Sequence, residues 1–159
     1  MPWALRVTVA AVIERDGRFL MVEEVADSRL VLNQPAGHLD EGESLVQAAR
    51  RETLEETAWH FRPEAVIGLY RWPRPDRAMT FLRIGFSGAL ETHEPDQPLD
   101  EGIRRAVWLT VEELEARRER LRSPMVLACV RDYLAGRRYP LELLVDLGSG
   151  GHPDAQPGP

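Results

Sequence analysis

The sequence predicts an α/β fold, because segments typical of strands and segments typical of helices alternate along one chain of domain size. Runs of β-branched and other apolar residues indicate strands before and after a central helical stretch. Serine and threonine residues in helix-cap positions indicate where the helices begin. With 159 residues the chain is long enough to bury a substantial core, so we expect one domain over residues 1–147.

The composition excludes several classes of protein. The formal net charge of −6 argues against a nonspecific nucleic-acid binder, which would present a basic surface. Cys129 is the single cysteine, so an internal disulfide is excluded, and its apolar helical surroundings place it in the core. No stretch approaches the roughly 20 apolar residues of a membrane span. We therefore expect a soluble, cytoplasmic protein without nucleic-acid or membrane partners, and the sequence leaves a monomer and a dimer equally open.

The strand-like segments are separated by recognisable turns. Asp16 and Gly17 form a turn signal between the first two segments, so the second is expected to return as the antiparallel partner of the first. A proline-rich turn, Pro73–Asp76, joins the third and fourth segments and is a candidate for lining a substrate cleft. The predicted strands are Arg6–Ile13, Arg18–Val25, Ala65–Trp72, Met79–Leu90 and Ile103–Leu109.

Two helices are predicted in the second half of the chain. Thr110 and Glu113 have the spacing of a capping box, so a helix is expected to run toward Arg120. Ser123 and Pro124 form a second helix start, and this helix is expected to reach about Ala135 and to end at Gly136. Beyond it, residues 148–159 are low in apolar residues and are expected to be disordered.

Three carboxylates crowd one face of the central helix, which is expected to run from about Ser44 to Thr57. Glu52, Glu55 and Glu56 are spaced i, i+3 and i+4, so they share one surface patch on which their charges repel. A solvated helix face is the simpler interpretation, but such a face would interleave Lys or Arg. A hard divalent cation, Mg²⁺ with Mn²⁺ as a substitute, relieves the repulsion better. The expected cap is Glu43 or Ser44, and the expected buried residues are Leu45, Ala48, Ala49 and Leu54.

The stretch from Gly37 to Trp59 resembles the Nudix box, G-x5-E-x7-R-E-U-x-E-E-x-G-U. It departs from that pattern at Thr53, where an aliphatic residue is commoner, and at Ala58, where the pattern has glycine. Glycine adopts a positive φ without steric cost and alanine does not, so Ala58 puts the helix exit in question. The matching residues are Gly37, Glu43, Arg51, Glu52, Glu55 and Glu56.

The resemblance implies a Nudix-type α/β/α sandwich with a mixed central sheet, and a hydrolase that uses Mg²⁺. The metal ligands it implies are the Gly37 carbonyl and the carboxylates of Glu52, Glu55 and Glu56. One carboxylate, Glu52 or Glu55, would also orient or deprotonate the attacking water. In the family a further acidic residue often joins from the region corresponding to residues 93–102, which makes Glu101 the expected ligand and Asp100 its alternative.

Arg51 and Glu43 lie about two helical turns apart, and the resemblance gives such a pair an orienting role. We therefore place Arg51 with the catalytic residues and Glu43 as structural support of the box. The alternative for both is a simple surface ion pair, which contributes only ~0–1 kcal/mol to stability.

Three residues outside the box are expected to bind the substrate. Arg83 lies in a largely apolar strand, where a cation needs a partner such as a substrate phosphate or an ordinary carboxylate. Trp72, with Tyr70 near it, is a candidate for stacking on a ring, although strand aromatics more often serve packing. Arg122 belongs to Arg122-Ser-Pro124, which is similar to a motif of a bacterial group of Nudix phosphatases.

The similarity to these bacterial Nudix phosphatases extends over most of the chain, from about Val7 to Leu144. It implies removal of the terminal phosphate from nucleoside tri- and diphosphates and from the hydroxymethylpyrimidine pyrophosphate of thiamine metabolism. The implied partner is thus a small phosphorylated substrate. Two alternatives stay open. One is a Nudix pyrophosphohydrolase that sanitises oxidised nucleotides or cleaves nucleotide sugars at another phosphorus, and the other is a non-enzymatic nucleotide sensor, which the complete set of box glutamates disfavours.

Overall fold

The computed structural model describes residues 2–148. Residues 149–159, which make up nearly all of the tail expected to be disordered, lie outside the described residues. The strands are β1 Ala4–Val12, β2 Glu14–Arg15, β3 Arg18–Ala26, β4 Arg29–Asn33, β5 Ala36–His38, β6 Trp59–Arg74, β7 Met79–His93, β8 Ile103–Leu109 and β9 Tyr139–Pro140. The helices are α1 Leu45–Thr57, α2 Val111–Ala116 and α3 Met125–Leu134, with 3₁₀ turns at Arg118–Arg120 and Leu141–Leu143.

The strands form two sheets. In the larger sheet the order is β5-β1-β7-β6-β9, and β1 runs parallel to β7 but antiparallel to β5. In the smaller sheet β3 pairs antiparallel with β2, β4 and β8. The larger sheet is therefore mixed, as predicted.

The predicted pairing of the first two strand segments is wrong. Asp16 and Gly17 do form the turn, with φ angles of 51° and 77°, but this turn joins β3 to the two-residue strand β2. Both edges of β1 are occupied by β5 and β7, and β3 belongs to the other sheet. A turn signal thus predicts a local reversal of the chain, while the strand that pairs beyond it depends on the whole sheet.

Helices cover both faces of the larger sheet. Alternate residues of β1 point to opposite sides, so Val9 and Ala11 belong to the core cluster under α1, whereas Val12 belongs to the cluster under α3. Ala48 and Ala49 of α1 are buried, as predicted, while Leu45 and Leu54 are half-buried. Cys129 on α3 is fully buried, which confirms its predicted core position. The result is the predicted α/β fold.

The caps of α1 and α2 agree with the sequence, whereas α3 begins at Met125 with Pro124 rather than Ser123 at its N-cap, and the end of α2 differs from the expected one. Ser44 caps α1 through a capping box, and Thr110 caps α2 in the same way. The α2 helix ends at Ala116, and a 3₁₀ turn takes the place of the expected continuation to Arg120. Ala58 adopts the left-handed conformation with φ 63°, so alanine fills the glycine position of the box without changing the helix exit.

Both strands of the long hairpin extend further than predicted. The β6 strand continues through Pro73 and Arg74, and the turn before β7 is correspondingly shorter. No helix in the described range, residues 2–148, combines the length and apolar character that crossing a membrane requires.

Candidate active site

Arg51 connects several residues of the box through hydrogen bonds of its guanidinium group. Its Nε and Nη2 donate to the two oxygens of Glu43 at 2.9 and 2.7 Å, a bidentate pair. Its Nη1 donates to Glu52 at 2.9 Å and to Glu55 at 3.1 Å. A further bond runs from Nη2 to the carbonyl of His38 at 2.9 Å, which ties β5 to α1. This network fixes the Glu52 and Glu55 carboxylates and the loop before α1, which supports an orienting role for Arg51.

The structure groups three carboxylates at one end of the helix. Oxygen atoms of Glu52, Glu55 and Asp100 lie within 4.8 Å of one another. Asp100 is held there because its backbone N–H donates to the carbonyl of Glu55 at 2.9 Å. Glu101, the expected further ligand, is exposed and is not part of this group, so Asp100 takes the place that the sequence assigned to its neighbour.

Glu56 lies on the other side of Glu52, facing a cavity. Its Oε1 accepts a hydrogen bond from the N–H of Ala36 at 2.9 Å, so β5 fixes this carboxylate as well. Glu52 and Glu56 both line the cavity, whereas Glu55 does not. Glu52 is therefore common to the carboxylate group and to the cavity wall.

Gly37 has a steric role beside Glu52. A Cβ atom at this position would overlap the Glu52 carboxylate, so any other residue here would displace that carboxylate from its present position. The approach brings the β5 backbone next to the carboxylates, where the Gly37 carbonyl was expected to act as a ligand.

Burial makes the ionised form of these carboxylates costly. It raises the pKa of Glu52 to about 7 and that of Glu56 to about 9, with nearby carboxylates adding to both shifts. The pKa of Glu55 is raised for the same first reason. Arg51 opposes the shift at Glu52 and Glu55, but no cation is hydrogen-bonded to Glu56 among residues 2–148.

These residues fit a divalent cation. Glu52, Glu55 and Asp100 bring carboxylate oxygens within 4.8 Å of one another, and carboxylate oxygens are the ligands that a hard cation prefers. Two of these groups, Glu52 and Glu55, also have raised pKa values. The glycine that leaves room for Glu52 adds a backbone carbonyl nearby. A positive ion at this place would favour the ionised carboxylates and so offset both the burial and the repulsion that raise their pKa values.

The cavity has a volume of about 390 Å³ and extends from the carboxylates to an aromatic wall. Trp72 and Phe81 form that wall, with stacked rings whose centroids are 5.8 Å apart. The predicted contribution of the Pro73–Asp76 turn is wrong, because the cavity is lined by the strand residue Trp72 and not by the turn. Tyr70 is also outside the lining, and its hydroxyl donates to Asp132 at 2.8 Å.

Arg83 lies on the floor of this cavity and is buried, with 3% of its surface exposed. Its guanidinium donates to the side-chain oxygens of Gln34 at 2.8 Å and Asn33 at 3.0 Å. No carboxylate lies within ion-pair distance of it in the described chain, and its Nε has no partner there. Arg83 therefore contributes to the cavity a positive charge that no direct ion pair neutralises, and the Glu24 carboxylate interacts with it only at longer range.

Arg122 lies at the rim of the cavity. Its Nε is 3.6 Å from Glu24, and its backbone N–H donates to the carbonyl of Leu32. The structure thus brings all three expected substrate-binding residues, Arg83, Trp72 and Arg122, to one cavity.

Sequence reasoning missed part of the lining. Glu24 and Asn33 come from strands β3 and β4, and Met125 comes from the start of α3. The segment of Glu24 carries no motif, since Glu24 is an ordinary strand residue whose position at the cavity depends on sheet order. Asp100 could be found only as one of two candidates, because a loop has no periodicity that fixes which side chain points inward.

An α/β fold in which a carboxylate-bearing helix, an arginine and a close glycine meet at one cavity is the arrangement expected of a metal-assisted hydrolase of phosphorylated compounds. A family model described as NUDIX domain matches residues 4–128, and the chain belongs to this family. The phosphatase NudJ of Escherichia coli K12 and that of Shigella boydii serotype 4 are each 44% identical to it over 140 residues, which cover 88% of this chain and 90% of the relative.

Solved structures agree with this assignment. A NUDIX hydrolase from Nitrosomonas europaea has a TM-score of 0.88 and 47% identity, over 92% of this chain and 99% of that one. The MutT protein of Methanosarcina mazei Go1 has a TM-score of 0.69 at 20% identity, over 87% of this chain and 99% of that one, and it shows the shared fold alone. The predicted Nudix fold and the prediction of an enzyme are thus confirmed.

Proposed function

We propose that the protein is a Mg²⁺-dependent phosphatase that removes the terminal phosphate from nucleoside tri- and diphosphates. The observation that carries this proposal is the position of Glu52, which joins the carboxylate group to a cavity with Arg83 on its floor and Trp72 in its wall. Such a cavity offers separate places for a phosphate chain and for a ring. The relatives named as phosphatase NudJ support the same activity.

The carboxylates of the site would bind the cation. Glu52, Glu55 and Asp100, with the Gly37 carbonyl and Glu56, would hold the cation. When bound there, Mg²⁺ supplies neutralisation of the phosphate charge and a lowered pKa for the attacking water.

The chain itself supplies orientation and a place for the proton. Arg51 holds the Glu52 and Glu55 carboxylates in fixed positions, and one of the two accepts the proton of the attacking water. Arg122 and Arg83 attract the phosphate chain, and Trp72 provides a flat surface for the ring.

The test combines cation dependence with isotope labelling. Turnover of ATP, ADP and hydroxymethylpyrimidine pyrophosphate is measured with Mg²⁺, with Mn²⁺ and in excess chelator, and we expect activity only with a cation. In ¹⁸O-labelled water, label in the released inorganic phosphate is expected, because attack at the terminal phosphorus places the new oxygen there. Direct release of unlabelled pyrophosphate from ATP would instead assign the protein to the pyrophosphohydrolases, and full turnover in chelator would overturn the metal role.

A further inference from the structure

Glu24 is an unexpected residue in a cavity that receives a phosphorylated compound. It lines the cavity together with Arg83 and Trp72, and only 17% of its side chain is exposed. Its carboxylate is not part of the group formed by Glu52, Glu55 and Asp100 in the described chain. Glu24 adds a further carboxylate to a lining that already includes Asp40, Glu52 and Glu56, and it repels phosphates, so a substrate group that carries hydrogen-bond donors is a better partner for it.

A chain of buried hydrogen bonds fixes the orientation of the groups beside Glu24. Gln34 donates through Nε2 to the carbonyl of Val126 at 2.8 Å, so its Oε1 points the other way, toward Arg83. Arg83 can only donate, and it donates to this oxygen at 2.8 Å and to Asn33 Oδ1 at 3.0 Å. The amide of Asn33 is therefore held with its Nδ2 toward Glu24, whose Oε1 it approaches at 3.3 Å.

These contacts use only one oxygen of Glu24. Oε1 accepts from Asn33, and the Arg122 Nε lies 3.6 Å from the same atom. Oε2 has no hydrogen bond to any residue in the range 2–148. It is also not one of the fully buried polar atoms without a partner in that range, so part of its surface is accessible. Burial raises the pKa of Glu24, while the nearby Arg122 and Asn33 act in the opposite direction. One carboxylate oxygen of a residue that lines the cavity is thus left without a hydrogen bond among residues 2–148.

We propose that Glu24 is a specificity-determining residue whose Oε2 accepts a hydrogen bond from an amino group on the substrate's heterocycle while the ring lies on Trp72. This inference rests on the proposed function, since it concerns the part of the same cavity beside Trp72 and Glu24 that would hold the heterocycle of the substrate. We call this part the ring end of the cavity. The favoured class is phosphorylated heterocycles with an exocyclic amino group, as in adenine, guanine, cytosine or an aminopyrimidine. A ring that presents a carbonyl at this position meets the carboxylate oxygen with a second acceptor and is disfavoured.

The test uses product-like ligands that do not turn over, so that it can be read even if the proposed phosphatase activity fails. Dissociation constants are measured by calorimetry for three pairs: AMP and purine riboside monophosphate, GMP and IMP, and CMP and UMP. In at least one pair the amino-bearing member is expected to bind about tenfold or more tightly, as for a hydrogen bond to a charged acceptor. Equal affinities within every pair, or no binding of any ligand, would overturn the inference.

Glu24→Gln is the informative variant because it conserves shape and inverts polarity. Asn33 Nδ2 is held toward this residue, so the glutamine oxygen takes that bond and its amide nitrogen faces the cavity. We expect the preference for the amino-bearing ligand to disappear or to reverse. Glu23→Gln is the matched control: Glu23 pairs with Arg105 and does not line the cavity, so its variant should keep the wild-type ratios.

Two other roles for Glu24 give different results. If it only offsets the charge of Arg122, Glu24→Gln will tighten all six ligands by a similar factor and leave the ratios unchanged. If it is a metal ligand, the variant will weaken Mn²⁺ binding, measured by electron paramagnetic resonance, without changing the ratios. Either result would overturn the inference. Loss of the ratio with unchanged Mn²⁺ affinity supports it, and hydrolysis at the terminal phosphorus then tests the proposed function separately.

Discussion

Arg51 and Glu43 form a bidentate ion pair in which two guanidinium nitrogens lie 2.9 and 2.7 Å from the two carboxylate oxygens. The pair is more than a surface contact, because Arg51 is only a quarter exposed and the same guanidinium also bonds Glu52 and Glu55. The hydrogen bond to Glu43 is the first cause of the raised pKa of Arg51, so the cation stays charged at any working pH. Glu43 thus sets the direction in which Arg51 presents its remaining N–H groups.

Arg51→Lys is expected to lower kcat by about tenfold or more while the protein remains folded. Lysine keeps the charge but has no planar fork, so it cannot bond Glu43 through two nitrogens and also reach Glu52 and Glu55. The measurements are steady-state kinetics and the thermal unfolding midpoint. Arg104→Lys, at an exposed arginine of β8 outside the site, is the matched control for replacing arginine by lysine. Wild-type kcat in Arg51→Lys would mean that charge alone suffices.

Asp100→Asn and Glu101→Gln form a matched pair of adjacent substitutions. Only Asp100 lies with Glu52 and Glu55, so its variant is expected to weaken Mg²⁺ binding by about tenfold or more, as for loss of a charged ligand. Glu101→Gln is expected to leave Mg²⁺ binding unchanged. Calorimetric titration of both variants with Mg²⁺ checks this, and the reverse result would restore the original expectation for Glu101.

The box and the caps were predictable because their information is local. Spacing alone places Glu52, Glu55 and Glu56 on one side of α1, and the Ser44 cap follows from its side chain. The left-handed conformation of Ala58 shows the limit of a local rule. Its cost, roughly 1–2 kcal/mol for an L-residue, is outweighed by the helix that ends there and the strand that starts next.

The ring end of the cavity was not predictable, because it is assembled from separate strands. Glu24 and Asn33 meet Arg83 only after β3 and β4 of one sheet are set beside β7 of the other. The wrong partner assigned to Arg18–Val25 has the same origin. Which strands are neighbours is decided by the burial of complete faces rather than by any single turn.

Arg15 joins the two sheets through aromatic contacts, and its loss is expected to affect stability but not activity. The guanidinium lies 5.1 Å from the ring of Trp59 on β6 and 5.0 Å from that of Trp108 on β8. Each cation–π contact of this kind contributes about 0.5–1 kcal/mol at an exposed site. Arg15→Gln should therefore lower the free energy of unfolding by about 1–2 kcal/mol in urea denaturation. Arg104→Gln, at an exposed arginine of β8, is the control for loss of a surface charge. An equal decrease in the free energy of unfolding in both variants would mean that the two aromatic contacts contribute nothing.

Glu56→Gln is expected to abolish cation-dependent turnover and, without metal, to stabilise the protein increasingly as pH rises. Burial raises the pKa of Glu56 from 4.5 to about 9, so the folded state keeps a proton that the unfolded state loses. Between these values the metal-free wild type loses stability as pH rises, because the unfolded state binds fewer protons than the native state. Glutamine has no proton to lose, so the two metal-free proteins should have similar unfolding midpoints at pH 5, and the variant should be the more stable at pH 9.

Adding Mg²⁺ at pH 8 should raise the unfolding midpoint of the wild type and have much less effect on the Glu56→Gln variant. Identical pH profiles of the two proteins, or an undiminished Mg²⁺ effect in Glu56→Gln, would exclude Glu56 from the cation site.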